Sequence, residues 1–489
     1  MPIDPEVRRL ALSCLLLGFV GPTPPAWLLE ALRDGVGGVV LFGSNLGDGT
    51  RVRTLTNQLR EAAGRDIVVA LDEEGGDVTR LDTVRGSASP GAAALGHLDD
   101  PAATEESYAA IGARLVAAGV TTDLAPIADV NVEPLNPVIG VRSFGIDADT
   151  VSRHVAAAVR GVQRGGIAAC VKHFPGHGAS TADSHHEVAT VDRTRSELAT
   201  VELVPFAAAV AAGARAVMTG HLLVPALDPA ALATVSAPIT TDLLRDELGF
   251  TGTVVTDALE MRAVSGTIGL VEGFVRALVA GADAIETGAR DYPAMADEIP
   301  VAVEDALRSG RLSRARLADA ARRTAALTAG GDATAAGDAT VLAGLALRCI
   351  EICGRLPQLR EPLVVECRPP GGMASGELPW SLAEPLAELV PGTEALLVTG
   401  PVDPAAIGAR ATGRTLVAVV RDPARHAWQG SVLTAAQRQD DAVVVDVGWP
   451  TVELARPMLR TRGVAPQLLR AAAVTLAGPH GHRRASGQR

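Results

Sequence analysis

Between the N-terminus and about residue 330, short apolar runs rich in Val, Ile, Leu and Ala alternate with helical stretches, the pattern of buried parallel strands joined by crossover helices. The runs are Leu12–Phe19, Gly38–Phe42, Ile67–Leu71, Thr121–Ala125, Ala168–Lys172, Ala214–Thr219, Thr253–Thr256 and Ala282–Glu286. Eight runs match the strand number of a (β/α)8 barrel, which is the expected fold class over residues 1–328. A doubly wound open sheet is the competing architecture, but the glycine fingerprint that would favour it is missing after the first run. Among the helical stretches, Glu197–Ala212 follows a Ser196 cap, kinks at Pro205 and ends at Gly213, while Asp242–Leu248 ends at Gly249.

The pattern breaks at AGGDATAAGDAT, where small and polar residues cannot bury surface, so residues 329–340 read as a linker. Beyond it, Leu363–Val365, Ala395–Val398, Leu416–Val420 and Ala442–Val445 alternate with helical patterns at Pro457–Arg462 and Pro466–Leu476. A smaller α/β sandwich over residues 341–489 is expected, with a frayed tail from His480 to Arg489.

Composition narrows the chemistry. Apolar residues make up 47% of the chain and aromatics only 3%, so the core must be filled by Ala, Val and Leu, and few rings remain as platforms for a long polymer. A net charge of −12 argues against a nucleic-acid binder, which concentrates Lys and Arg on one face. Five scattered cysteines make a poor disulfide framework and point to a reducing compartment, the cytoplasm. Leu10–Val20 is too short to span a bilayer and lacks a clean cleavage site, so it reads as a buried first strand, not a signal peptide.

In a barrel the carboxyl ends of the strands form the reaction face, so polar residues that end the apolar runs are site candidates. The third run ends in LDEEGGDVTR, which puts Asp72 at the strand end and a Gly75-Gly76 turn where Arg80 can fold back over the face; a solvated acidic loop is the plainer reading. The fifth run gives CVKHFPGHGASTADSHHE, in which Lys172 and His173 leave the strand before Pro175 and Gly176 force an irregular loop. Asp183 and His185 lie two apart, so in an extended loop the carboxylate can hold the imidazole and suit it to give and retake a proton. A metal site through His173, His177, Asp183, His185 and His186 is the competing reading, weakened because Phe-Pro-Gly prevents His173 and His177 from sharing a helix face. The seventh run ends in VVTDALEM, and Asp257 emerges from it as a candidate nucleophile. Glu260 is expected to pair with a cation, and His221 and Glu286 to be structural.

DEEGG at Asp72–Gly76, NPVIGVRSFG at Asn136–Gly145, KHFPGHG at Lys172–Gly178, DSH at Asp183–His185 and TDALEM at Thr256–Met261 together resemble glycoside hydrolase family 3, and its bacterial β-N-acetylglucosaminidase branch in particular. The resemblance implies a retaining exo-hydrolase of terminal β-linked N-acetylglucosamine, with Asp257 as nucleophile and His185, assisted by Asp183, as acid/base. It implies that Asp72, Arg80, Arg142, Lys172 and His173 hold the terminal sugar. The implied partners are small amino-sugar glycosides or muropeptide fragments of cell-wall recycling, with no nucleic acid, membrane or cofactor. This chain has Glu73 where family sequences commonly carry Gln, and Asp77 where they carry a basic residue, so a more acidic pocket floor is expected. The second domain resembles the extra α/β domain of some relatives, which implies that it is not required to complete the site. Competing functions are a phosphorylase on the same site, a catalytically silent sugar-binding protein and a metal-dependent hydrolase.

Overall fold

A computed structural model describes residues 3–46, 51–182, 188–329, 339–372, 374–454 and 456–478. The barrel strands are β1 (Leu15–Leu17), β2 (Gly38–Val40), β3 (Val68–Leu71), β4 (Thr122–Asp123), β5 (Ala168–Phe174), β6 (Ala216–Thr219), β7 (Thr253–Thr256) and β8 (Ile285–Glu286). All pair in parallel in the order β8-β1-β2-β3-β4-β5-β6-β7, and a bridge between Val255 and Ala284 joins the last strand to the first. The sheet therefore closes into a barrel.

The alternation of side chains along each strand divides two cores. Leu16, Val40, Val68, Ala70, Ala168, Cys170, Ala216, Met218 and Val255 fill the barrel interior. Their neighbours Leu15, Leu17, Val39, Val69, Leu71, Ala169, Val171, Val217 and Val254 face outward and pack under the surrounding helices. The interior thus holds no aromatic ring among its fully packed members, as the composition required.

Four sequence readings need correction. Leu12 belongs to a helix, Pro5–Ser13, capped by the Asp4 side chain, and β1 starts only at Leu15. Val7, Ala11 and Leu12 are the buried face of that helix, so helix and strand merged into one apolar run. The stretch 197–212 is two helices, Arg195–Thr200 and Val204–Ala211; Thr194 caps the first in a reciprocal box with Glu197, and Pro205 opens the second instead of kinking one. The segment around Asp242 begins earlier, as a π-helical stretch Pro238–Glu247. Pro457–Arg462 is not helical: Met458–Arg460 is a strand, because it lies between two others that satisfy its backbone on both edges.

The second sheet has six strands: β9 (Glu351–Cys353), β10 (Leu363–Cys367), β11 (Glu394–Val398), β12 (Leu416–Val420), β13 (Ala442–Asp446) and β14 (Met458–Arg460). Their order is β9-β14-β13-β12-β10-β11, with only the β9–β14 pair antiparallel. Helix Pro466–Ala477 is the seam between the two sheets' surroundings. Its Leu468 and Ala471 enter the core that surrounds the barrel, while Leu469, Ala472 and Ala473 pack on the second sheet. Most of the expected linker and the whole expected tail from His480 lie outside the described residues. Among those described, no helix is long and apolar enough to cross a membrane.

Candidate active site

The carboxyl ends of β3, β5, β7 and β8 converge on one cavity of about 240 Å³ lined by Asp72, Glu74, Arg80, Arg142, Lys172, His173, His177, Asp257, Glu260 and Glu286. All six described residues singled out in the sequence, Asp72, Arg80, Arg142, Lys172, His173 and Asp257, meet there. Asp183 and His185 lie outside the described residues. The residues that follow are tied to the same face: Ala189–Thr190 pairs with Leu222–Leu223, just beyond β6.

A chain of ion pairs builds one wall. Arg142 makes a two-pronged contact to Glu74, Nε to Oε2 at 2.9 Å and Nη2 to Oε1 at 2.7 Å. Lys172 Nζ bridges Glu74 Oε1 at 2.8 Å and Asp72 Oδ1, and Arg80 Nη2 reaches Asp72 Oδ2 at 3.3 Å. Burial alone would push Asp72 and Glu74 toward their neutral forms, but Lys172 with Arg80 and Arg142 with Lys172 outweigh it and hold both carboxyls below the usual range. Burial likewise opposes the charge on Lys172, and Asp72 and Glu74 keep its ammonium protonated beyond the ordinary range. Fixed charges of both signs thus face the cavity, so hydroxyl groups find donors and acceptors there without rearrangement.

Local geometry sets each side chain. Gly75 and Gly76 have φ of +80° and +59°, a left-handed pair that turns the chain back so that Arg80 returns over Asp72. Glu73 braces this turn from behind, accepting from the amides of Arg80 at 2.8 Å and Leu81 at 3.0 Å. Asp129 orients the fifth-strand loop: it accepts from His173 Nδ1 at 2.8 Å and from the His177 amide at 2.6 Å. Burial would neutralise Asp129, but His173 and His177 hold its carboxyl low, so the carboxylate fixes the ring of His173. Burial lowers His177 to about 4, which leaves it neutral near pH 7. At the tip of β7, Asp257 Oδ1 accepts from the Ala258 amide at 2.7 Å.

Several expectations change. The pocket floor is not made more acidic by Glu73 and Asp77. Glu73 does not line the cavity, and burial raises its carboxyl toward the neutral form. Asp77 turns away, accepting from Arg421 Nη2 at 2.7 Å and the Val464 amide at 2.8 Å, both from the second sheet's region. Glu260 accepts from the Gly288 amide at 2.6 Å, and no cation pairs with it among the described residues. A Cβ at residue 288 would lie 1.4 Å from Glu260 Oε1, so a side chain there would displace the Glu260 carboxylate. His221 is structural as expected, bonded through Nδ1 to Thr234 Oγ1 at 2.8 Å and through Nε2 to the Ala258 carbonyl at 3.0 Å. The second unit does enter the site: Arg80 Nη2 donates to the Ala374 carbonyl at 2.8 Å, and Ala374 lines the cavity.

Glu74 and Asp129 are the site residues that the sequence reading passed over. Glu74 stands inside DEEGG and could have been found as the acid that two nearby cations need; Asp129 carries no local signal, because its histidine partners lie 44 and 48 positions away. No cluster of three or more His, Cys, Asp or Glu side chains able to hold a metal ion occurs among the described residues. A larger cavity, about 450 Å³, opens beside the first between residues 136–142 on one side and residues 369–372, Ala374, Ser375, Arg421, Asp422, Arg425, His426 and Trp449 on the other. The two share Val138, Arg142 and Ala374.

Residues 27–327 match the model of the glycosyl hydrolase family 3 N-terminal domain. A β-hexosaminidase from Xylella fastidiosa (strain M23) is 38% identical over 278 residues, which are 55% of this chain and 82% of that protein. β-Hexosaminidase A from Pseudoalteromonas piscicida is 33% identical over 331 residues, 62% of this chain, and the match spans only 55% of that relative's length. Among solved structures, a family 3 β-N-acetylglucosaminidase from Paenibacillus sp. str. FPU-7 superposes with a TM-score of 0.86 at 31% identity and 96% coverage of both chains.

Proposed function

Because the chain belongs to glycosyl hydrolase family 3, we propose that it is a retaining exo-glycosidase that removes terminal, non-reducing β-linked N-acetylglucosamine. Asp257 is the nucleophile and His185, assisted by Asp183, the acid/base. The observation that carries this reading is the convergence of Asp257 with Asp72, Arg80, Arg142, Lys172 and His173 on one cavity of single-sugar size. The names of the similar proteins, β-hexosaminidases and a β-N-acetylglucosaminidase, support the substrate class.

In this mechanism, Asp257 attacks the anomeric carbon while His185 protonates the departing glycosidic oxygen, and the covalent glycosyl-enzyme is then hydrolysed by a water that gives its proton to His185. Asp72, Lys172, Arg80 and His173 orient the ring through its hydroxyls, and their prefixed charges spare the site reorganisation as charge develops. The aglycone extends into the larger cavity, so muropeptide fragments carrying bulky groups can be accommodated. The five cysteines are all free thiols, in keeping with a cytoplasmic setting.

The test compares a chromogenic N-acetyl-β-glucosaminide with the matching glucoside on the wild type, Asp257→Ala and His185→Ala. Loss of Asp257 is expected to abolish turnover, whereas loss of His185 is milder on substrates whose leaving group needs little protonation. Turnover that survives Asp257→Ala would show the nucleophile to be another residue.

A further inference from the structure

Glu286 ends β8 beside the end of β7, where Asp257 emerges. Its backbone is fixed on both sides: its amide donates to Thr256 Oγ1 at 3.2 Å, and its carbonyl accepts from the Leu259 amide at 3.1 Å. The residue is 3% exposed and lines the same cavity as Asp257, Asp72 and Lys172. Yet its Oε2 is buried with no hydrogen-bond partner among the described residues. Glu73 Oε1 and Asp123 Oδ2 share that condition but do not line the cavity. A structural carboxyl at a strand end is normally satisfied; Oε2, shut off from solvent and unpaired on a residue that lines the cavity, gains a partner only from a group that enters there.

The surroundings decide the form of this carboxyl. Asp257 and Glu260 face it from β7 and the following loop, Asp72 from β3, and Lys172 and Cys170 from β5. Lys172 is already engaged by Asp72 and Glu74. Burial first, and then repulsion from Asp257, Asp72 and Glu260, keep the Glu286 proton on well above the ordinary carboxylate range. The group is therefore a donor.

We propose that Glu286 grips the terminal sugar in the Asp257 cavity, its carboxyl giving a hydrogen bond from Oε2 to a hydroxyl or acetamido oxygen of that ring. The inference rests on the reading of this cavity as the terminal-sugar site. Glu286 is then a substrate-binding residue, not the structural strand end that its position in the sequence suggested.

The experiment compares wild type, Glu286→Gln and Glu286→Leu, using calorimetric binding of N-acetylglucosamine, KM and kcat on the chromogenic substrate, and the pH profile of kcat/KM. Glutamine keeps a donor, so its KM and its Kd for the sugar are expected within about threefold of wild type. Leucine has none and is expected to weaken both by about three- to tenfold, with no fall in melting temperature. As pH rises and Glu286 ionises, wild-type kcat/KM declines, and Glu286→Gln lacks that part of the decline. Equal sugar affinity in wild type and Glu286→Leu, equal impairment of both variants, or an unchanged alkaline limb in Glu286→Gln would each overturn the proposal. So would a wild-type preference for the 2-amino over the 2-acetamido glycoside, which would mark an ionised carboxylate. Calorimetry reads sugar binding whether or not turnover occurs, so failure of the activity reading and failure of this one are distinguishable.

Discussion

Arg421 Nη2 donates to Asp77 Oδ2 at 2.7 Å, tying the second sheet to the loop that runs from Asp72 to Arg80 in the barrel's active cavity. Both partners are mostly buried, with side-chain exposures of 17% and 3%. The second unit therefore supports the site mechanically, through Asp77, as well as directly through the Ala374 carbonyl.

Removing one partner of this pair should leave a buried charge alone. Arg421→Ala is expected to lower stability by about 3 kcal/mol in denaturant unfolding and to raise KM, because the loop that aims Arg80 loses its anchor. Asp77→Asn should be milder, since the charge it leaves alone is on Arg421, 17% exposed, rather than on Asp77, 3% exposed, and it keeps an acceptor for the Val464 amide at 2.8 Å. An Arg421→Ala protein with wild-type KM and stability would show that the barrel loop holds itself.

Glu74 neutralises Arg142 and Lys172 together. Glu74→Gln is expected to cost about 3–5 kcal/mol near neutral pH and to raise KM, as Arg142 loses its carboxylate and Lys172 keeps only Asp72. Burial opposes the Glu74 charge, but Arg142 and Lys172 hold its carboxyl far below its usual value. Its contribution is therefore complete above the unfolded carboxylate range and lost as pH falls toward strong acid. Unfolding curves at neutral and acidic pH should show the wild type and the variant converging as pH falls.

The second sheet holds the opposite case. Asp446, on β13, is buried, and desolvation raises its carboxyl to about 7. Below the unfolded carboxylate range both states hold the proton. As pH rises toward 7 the unfolded chain releases it first, so stability falls, and above 7 the loss is complete. Asp446→Asn retains an acceptor for the Gly448 amide, which sits 3.0 Å from Oδ1, and avoids the buried charge. Its melting temperature is expected to exceed wild type at pH 8 and to match it near pH 4.

Much of the barrel was legible because each strand is short, apolar and bounded by polar residues. Thr253–Thr256 was read to the residue, and β5 was read from its first residue. Boundaries failed where two elements shared one apolar run, as at Leu12, and where neighbours decided the backbone, as at Met458–Arg460. The meeting of Asp72, Lys172 and Asp257 was legible too, since barrel geometry brings strand ends together whatever their separation in the chain.

The sequence alone determined the strand count, the polar residues that end the strands and the family motifs, because these rest on local periodicity and on residue types within a few positions. Which charges neutralise one another was set by the packed fold. It paired Glu74 with Arg142 and Lys172, turned Asp77 toward Arg421, and left Glu286 Oε2 unsatisfied in the cavity. The energy of a charge depends on burial and on partners far off in the chain, 344 positions for Asp77 and Arg421, and neither is written in the local pattern.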